Sequence, residues 1–359
     1  MTGTIQSLPV LVIYPHARCN CRCLMCDIWK ATEQSELTAA ELERHLADIE
    51  ALSVKWVVFS GGEPLMHSDL FRLSAMLRVR NIRITLLSTG LLMARYADRI
   101  ASHLDDVIVS LDGPPAIHDE IRRVPGAFSQ LAAGVRSLRR CNPSYHISAR
   151  CTVQKSNFSS LRETAHQARA LGLDSISFLA ADLTSEAFNR SRPWDLDRQS
   201  QIALSEAEVR LLECELDALH EDWDGTGFVL EGSDKLQRIA LHFKAHLGLA
   251  HAKAPRCNAP WTSAVVEADG TVRPCFFHRP IGSLRTQTLV QILNGFEAQQ
   301  FRAALDIETN AICKRCVCSL NWKLSASEAG ELEDGLDGCT IERRQPYTSP
   351  TITGKNNGL

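Results

Sequence analysis

Short apolar runs bounded by turn residues recur along the first half of the chain, at 10–14, 54–59, 82–87, 107–111, 146–153 and 175–179. Their length and Val/Ile/Leu content read as strands. The stretches between them carry helical spacing. In 38–52, Thr38 and Glu41 form a capping box, and Leu42, Leu46, Ile49 and Leu52 line one face. Residues 70–80, 91–103, 128–140 and 161–171 repeat the pattern. Six strand–helix units predict a parallel α/β sheet, because parallel strands need a crossover helix. An open doubly wound sheet and a curved barrel both fit this rhythm.

Residues 182–205 break the rhythm with a polar segment around Arg192-Pro193-Trp194, expected to be a connector or a loop over a site. Helices are expected at 205–221 and 233–249. Beyond Cys257 the pattern changes: 265–272, with Asp269-Gly270 at the turn, reads as a hairpin, and 289–305 as a helix. The tail after Cys339, rich in Pro, Thr, Gly and Asn, is expected to be disordered.

Composition narrows the class. The 359 residues are 45% hydrophobic and 23% charged, which excludes a disordered or collagen-like chain. A net charge of -3 argues against a nucleic-acid partner. No apolar run reaches the roughly 18 residues of a membrane span, and no basic segment precedes the apolar run near the N-terminus. A cytoplasmic location is expected, where thiols stay reduced. The chain nonetheless has 13 cysteines, too large a number to leave without a chemical role. Cys141, Cys151 and Cys214 stand alone and read as small buried hydrophobes.

Cys19, Cys21, Cys23 and Cys26 follow the first strand directly. The C-x3-C-x2-C spacing places Cys19, Cys23 and Cys26 on one loop. Three thiolates can hold three irons of a [4Fe–4S] cubane and leave the fourth iron open. Zinc would need a fourth ligand, which Cys21 or His16 could supply.

These residues resemble the radical S-adenosylmethionine (radical SAM) superfamily, with Met25 before the last cysteine and Asp27-Ile28-Trp29 after it. Gly61-Gly62-Glu63-Pro64, ending the second strand, resembles the family's GGEP segment. Ser110-Leu111-Asp112-Gly113-Pro114, ending the fourth and followed by His118, Asp119 and Arg122, resembles its SLDGP segment. The resemblance implies a partial (β/α)6 TIM-like barrel. It also implies that Gly61, Gly62, Glu63 and Pro64 meet the methionyl amine of SAM, and that Ser110 and Arg122 meet its carboxylate. Asp112 is expected in the site wall, and Ser88 of Leu87-Ser88-Thr89-Gly90 beside it. Arg150, Asn157 and Ala180, at later strand ends, are further candidates. The alternative is that Ser110 and Asp112 only turn the chain and that Arg122 is a solvated helix residue. Cys21, extra to the motif, is expected to be a spectator.

Cys257, Cys275, Cys313, Cys316, Cys318 and Cys339 form a second group. Four thiolates, Cys257, Cys275, Cys313 and Cys316, can fill one further [4Fe–4S] cluster. A set of Cys313, Cys316, Cys318 and Cys339, or a zinc knuckle, is the alternative. Asn258-Ala259-Pro260-Trp261, residues 269–275 and Ile281-Gly282-Ser283-Leu284 resemble the SPASM and twitch extensions of radical SAM enzymes. That resemblance implies a small α+β domain with one auxiliary cluster, leaving Cys318 and Cys339 over. The expected organisation is a barrel and connector at 9–230, the cluster domain at 231–340 and a tail at 341–359.

The chemistry implied by the resemblance is reductive cleavage of SAM to a 5′-deoxyadenosyl radical, which abstracts hydrogen from a small molecule. A filled auxiliary cluster would accept or relay an electron, giving net oxidation. A flavodoxin- or ferredoxin-type reductant is the expected partner. Modification of a peptide, or a non-enzymatic iron–sulfur protein, are the alternatives. Scattered histidines such as His67, His118 and His278 are expected at the surface.

Overall fold

The computed structural model describes residues 4–32 and 35–323. Cys339 and the tail at 341–359 lie outside the described residues. All six expected strands form: β1 (Val10–Ile13), β2 (Trp56–Phe59), β3 (Arg83–Ser88), β4 (Asp106–Ser110), β5 (His146–Val153) and β6 (Ser175–Ala180). They pair in parallel in chain order and, with the crossover helices, make a partial barrel that does not close.

The expected hairpin is present as β7 (Ser263–Val266) and β8 (Thr271–Arg273), followed by a two-residue β9 (Gly282–Ser283). Its attachment is the unforeseen feature. β7 pairs in parallel with β1, Val10 beside Ser263 through Ile13 beside Val266. One nine-stranded sheet therefore runs from β6 through β1 to β9. The hairpin is held in place by the strand that leads to the first cysteine loop.

Alternation along the strands gives the two faces different work. Leu11, Ile13, Val57, Phe59, Ile84, Leu86, Val107, Val109 and Ile147 are buried and join the core formed with the helices. On the opposite, concave face, Val12, Val58 and Val265 pack with Tyr14, Trp56, Leu87 and Phe276. Toward β5 and β6 this face turns polar, with Arg150 Nε donating to Ser177 Oγ at 3.2 Å. The far edge is covered locally: Ile176 exchanges backbone hydrogen bonds with Phe228 and Leu230 at 2.8 and 3.0 Å.

Two expected helices are each split. The Thr38 capping box forms, but its helix runs only over Ala39–Glu43, and a second covers Leu46–Ala51. His45, between them, has ψ near 1°, outside helical backbone, so the apolar stripe continues across a bend. Gly295, in extended backbone, similarly separates Leu289–Asn294 from Phe296–Ala304. Helices Glu206–Trp223 and Ser233–His246 lie close to their expected bounds. No described helix is long and apolar enough to cross a membrane.

Candidate active site

The cysteine loop after β1 is tied down from three directions, each distant in sequence. The segment after β4 supplies two carbonyls: Arg22 N donates to Arg122 O at 3.1 Å and Leu24 N to Ile121 O at 3.1 Å. The end of β2 reads the other side, with Gly62 N donating to His16 O at 3.4 Å and Glu63 N to Arg18 O at 2.8 Å. The expected connector does lie over the loop. Trp194 Nε1 donates to Asp27 Oδ2 at 2.6 Å, Asn189 Nδ2 to Asp27 O at 3.1 Å, and Arg198 bonds Leu24 O.

The loop groups its thiols. Cys26 is half-buried, and burial together with the charges of Cys23 and Cys19 pushes it up to about 12. Cys23 behaves differently: hydrogen bonding with Cys21, and then the charge of Arg122, outweigh burial and bring it down to about 6. Arg122 Nη1 donates to Cys23 Sγ at 3.5 Å. Cys21 is fully buried, with its thiol raised by hydrogen bonds to Cys19 and Cys23. Three cysteines on one loop, one of them facing a fixed guanidinium that favours its thiolate, offer the donor chemistry of an iron–sulfur cluster, whose ligands are thiolates; among the described residues they are not drawn together as a closed metal site.

The glycines of the second motif are required by the protein's own backbone. A Cβ on Gly62 would stand 2.0 Å from Arg18 O, and Gly61 has φ of +95° with Tyr14 atoms 2.9 Å from its Cβ position. Their smallness lets the cysteine loop lie against β2.

Glu63 and Ser88 are joined within the protein. The Glu63 carboxylate is buried and accepts from Ser88 Oγ at 3.0 Å, Thr89 N at 2.6 Å, Thr89 Oγ1 at 2.7 Å and Leu65 N at 3.1 Å. Burial still raises its pKa, against the pull of those bonds. The pair therefore fastens the end of β2 to the end of β3. Thr89 Oγ1 also reaches Asn20 Oδ1 at 3.1 Å, joining the cysteine loop to the same knot. Pro64 opens a short 3-10 turn. Ser110 is half-buried at the end of β4, in register with Arg150.

Asp112 and Arg122 are both buried, and they form an ion pair. Arg122 is thus no solvated helix residue. Asp112 Oδ1 also accepts from Thr152 N at 2.9 Å. Asn157 is spent on structure: it donates to Asp112 O at 2.8 Å and Thr152 O at 3.1 Å and accepts from Gln154 N at 2.8 Å. The expectation of surface histidines is corrected. His67, His118 and His278 are all buried, as are His16 and His45. Cys151 is buried as expected, whereas Cys141 and Cys214 are exposed.

The described cysteines of the second group lie within electrostatic reach of one another. Cys275, Cys313 and Cys316 each feel the charge of Cys257, and burial pushes Cys275 up to about 12 and Cys313 to about 11. Cys318 belongs to the same neighbourhood, and the Cys316 thiol donates to its carbonyl at 2.5 Å. His278 Nε2 lies 3.4 Å from Cys313 Sγ, a contact that no sequence spacing announced.

Tyr14 links the two groups. It follows β1 directly, its ring stacks on Phe276 with centroids 6.0 Å apart, and its phenol is raised by burial and by Glu267, Cys26 and Cys318. A cavity of about 480 Å³ opens beside it, walled by Tyr14, His16, Lys30, Arg190, Glu267 and Phe276. That lies within the roughly 300–1,000 Å³ range of small-molecule sites.

Comparison with known proteins agrees with this layout. Residues 13–168 match the family model of the radical SAM superfamily, and residues 257–317 match SPASM, an iron-sulfur cluster-binding domain. The chain is 34% identical over 194 residues to pre-heme d1 synthase of Dinoroseobacter shibae, covering 53% of this chain and 47% of that protein. It is 30% identical over 161 residues to AdoMet-dependent heme synthase of Methanosarcina barkeri, covering 44% and 46%. The chain therefore aligns with about half the length of these curated relatives. Streptococcus suis SuiB, solved bound to its precursor peptide SuiA, shares the fold with a TM-score of 0.64 at 16% identity, over 89% of this chain and 73% of that one.

Proposed function

We infer from the matches at residues 13–168 and 257–317 that the chain is a radical SAM protein with a SPASM iron–sulfur domain. From that premise we propose that it oxidises a small molecule by hydrogen abstraction. Cys19, Cys23 and Cys26 would hold the [4Fe–4S] cluster that binds SAM, and Cys257, Cys275, Cys313 and Cys316 an auxiliary cluster. When bound, these groups supply reductive cleavage of SAM to a hydrogen-abstracting 5′-deoxyadenosyl radical and an acceptor for the electron the substrate loses.

The chain's own residues bind and orient. Arg122, fixed by Asp112, presents a guanidinium to Cys23 and stabilises its thiolate. The Glu63–Thr89–Asn20 knot and the Trp194 clamp hold the cysteine loop so that its thiols stay grouped. Half-buried Ser110 remains the nearest candidate for the SAM carboxylate. The concave face around Tyr14, Leu87 and Phe276 offers an apolar wall that keeps water from the reacting carbon.

The observation that carries this reading is the β1–β7 pairing, which sets the second thiol group beside the strand that ends in the first. Sequence similarity to proteins named for heme synthesis favours a small molecule over a peptide. The test is anaerobic reconstitution with iron and sulfide, reduction with dithionite and addition of SAM. Formation of 5′-deoxyadenosine and about eight irons per chain is expected. Absence of SAM cleavage in a fully loaded protein would overturn the reading.

A further inference from the structure

A second, smaller cavity of about 150 Å³ lies where β5, β6 and the helix Ser233–His246 meet the loop carrying Cys316 and Cys318. Its wall is basic to an unusual degree. Arg150, Lys235, Arg238, Lys253, Lys314 and Arg315 all line it, and Glu231 is the one acidic lining residue among the described residues. The placement is systematic. Lys235, Arg238, His242 and His246 follow one another at three- and four-residue steps, so one face of the helix lines the cavity. The adjoining flank, with Leu236, Ala240 and Phe243, is buried, and buried Ile239 sits between it and the cavity.

Among the described residues, Arg150, Arg238, Lys253, Lys314 and Arg315 have no carboxylate within ion-pair distance, although Arg150 and Lys235 lie near enough to Glu231 for their charges to act on it. Arg238 Nη1 donates to a backbone carbonyl, Lys253 O, at 3.1 Å, and Arg150 uses Nε on Ser177 Oγ. Glu231 is engaged, its Oε2 accepting from Phe178 N at 2.9 Å. Half-buried guanidiniums with donors to spare can bond an incoming anion directly. Filled auxiliary clusters are themselves anionic and would attract some of this charge. Arg150, however, stands on the concave face of the barrel, in register with Ser110.

We propose that this cavity binds a carboxylate arm of the substrate, anchoring an acidic small molecule between the barrel and the SPASM domain. The inference rests on the proposed small-molecule reading and names its substrate class. The volume is well under the roughly 300 Å³ of a pocket that engulfs a drug-sized ligand. It suits one acidic group and a short stem, with the body of the molecule outside. Arg150 and Arg238, both half-buried, would supply the charge-assisted hydrogen bonds, and exposed Lys253 and Arg315 would attract the anion at the mouth.

The probe is coproporphyrin III, a fluorescent tetracarboxylate, titrated into the anaerobically reconstituted protein. Binding to the unaltered protein is expected, and Arg150→Gln/Arg238→Gln should weaken it by roughly 10-fold or more with the iron content retained. The tetramethyl ester of the same porphyrin, titrated into the unaltered protein, should lose affinity to the same degree, a readout independent of any variant's folding. Arg150→Lys/Arg238→Lys should recover part of the affinity. Equal affinity for acid and ester, or no binding of the acid, would overturn the proposal. So would a double variant that binds normally; if it also shifts the auxiliary-cluster potential, the cations serve the cluster instead. If SAM is cleaved while the acid fails to bind, this proposal falls and the radical reading stands.

Discussion

Arg122 and Asp112 form a buried ion pair, their side chains 8% and 0% exposed. The remaining reach of the guanidinium goes to Cys23, which is 99 residues away in sequence. A charged pair at the fold's centre thereby becomes part of the setting of the cysteine loop.

Breaking this pair from one side should be severe. Arg122→Ala leaves the Asp112 carboxylate buried and unpaired, a situation that costs about 3–5 kcal/mol. Urea denaturation is expected to show a loss of that size. Replacing both partners, Arg122→Met with Asp112→Leu, should cost less than the single change. A double variant at least as unstable as Arg122→Ala would contradict the ion-pair account.

The close approach at Gly62 predicts a selective loss of iron. With a Cβ 2.0 Å from Arg18 O, Gly62→Ala must displace the cysteine loop from β2. About four of about eight irons should be lost while circular dichroism stays near that of the unaltered chain. Gly232→Ala is the control, since nothing lies within 4 Å of its Cβ position; it should change stability by no more than about 0.5 kcal/mol. Full iron retention in Gly62→Ala would reject the steric argument.

The two thiol groups should be separable by substitution. Cys257→Ser/Cys275→Ser is expected to remove about half the iron and leave the first cluster's spectrum intact. Cys21→Ala should keep all the iron, since the three motif cysteines suffice. Retention of all iron by the double serine variant would move the auxiliary ligands to Cys313, Cys316, Cys318 and Cys339.

His118 gives a pH dependence with a definite sign. Burial, followed by the nearby charge of Arg122, lowers it from 6.5 to about 3 in the folded chain. Its Nδ1 accepts from Asp112 N at 3.2 Å, which also requires the neutral ring. The unfolded chain takes up a proton below pH 6.5 and the folded chain does not. Stability is therefore full above 6.5 and falls as pH drops toward 3, by at most about 1.4 kcal/mol per pH unit from this group. Urea midpoints between pH 7 and 5 should fall less steeply in His118→Gln. Parallel slopes for the two proteins would exclude the effect.

The sequence by itself determined what depends on neighbours along the chain. The six apolar runs became β1 to β6, the Thr38–Glu41 capping box formed, and the spacing of Cys19, Cys23 and Cys26 placed them on one loop. Hydrogen-bond ladders and helix faces have periods of two to four residues, so a local pattern specifies them. What only the tertiary structure decided are the pairings between distant segments. β7 joined β1 across some 250 residues, Glu63 bonded Thr89, and Arg122 turned inward to Asp112. His16, His45, His67, His118 and His278 were buried for the same reason: elements that cover them come from elsewhere in the chain. A polar side chain's partner is chosen by which groups share its desolvated space, and that space exists only after the sheet has assembled.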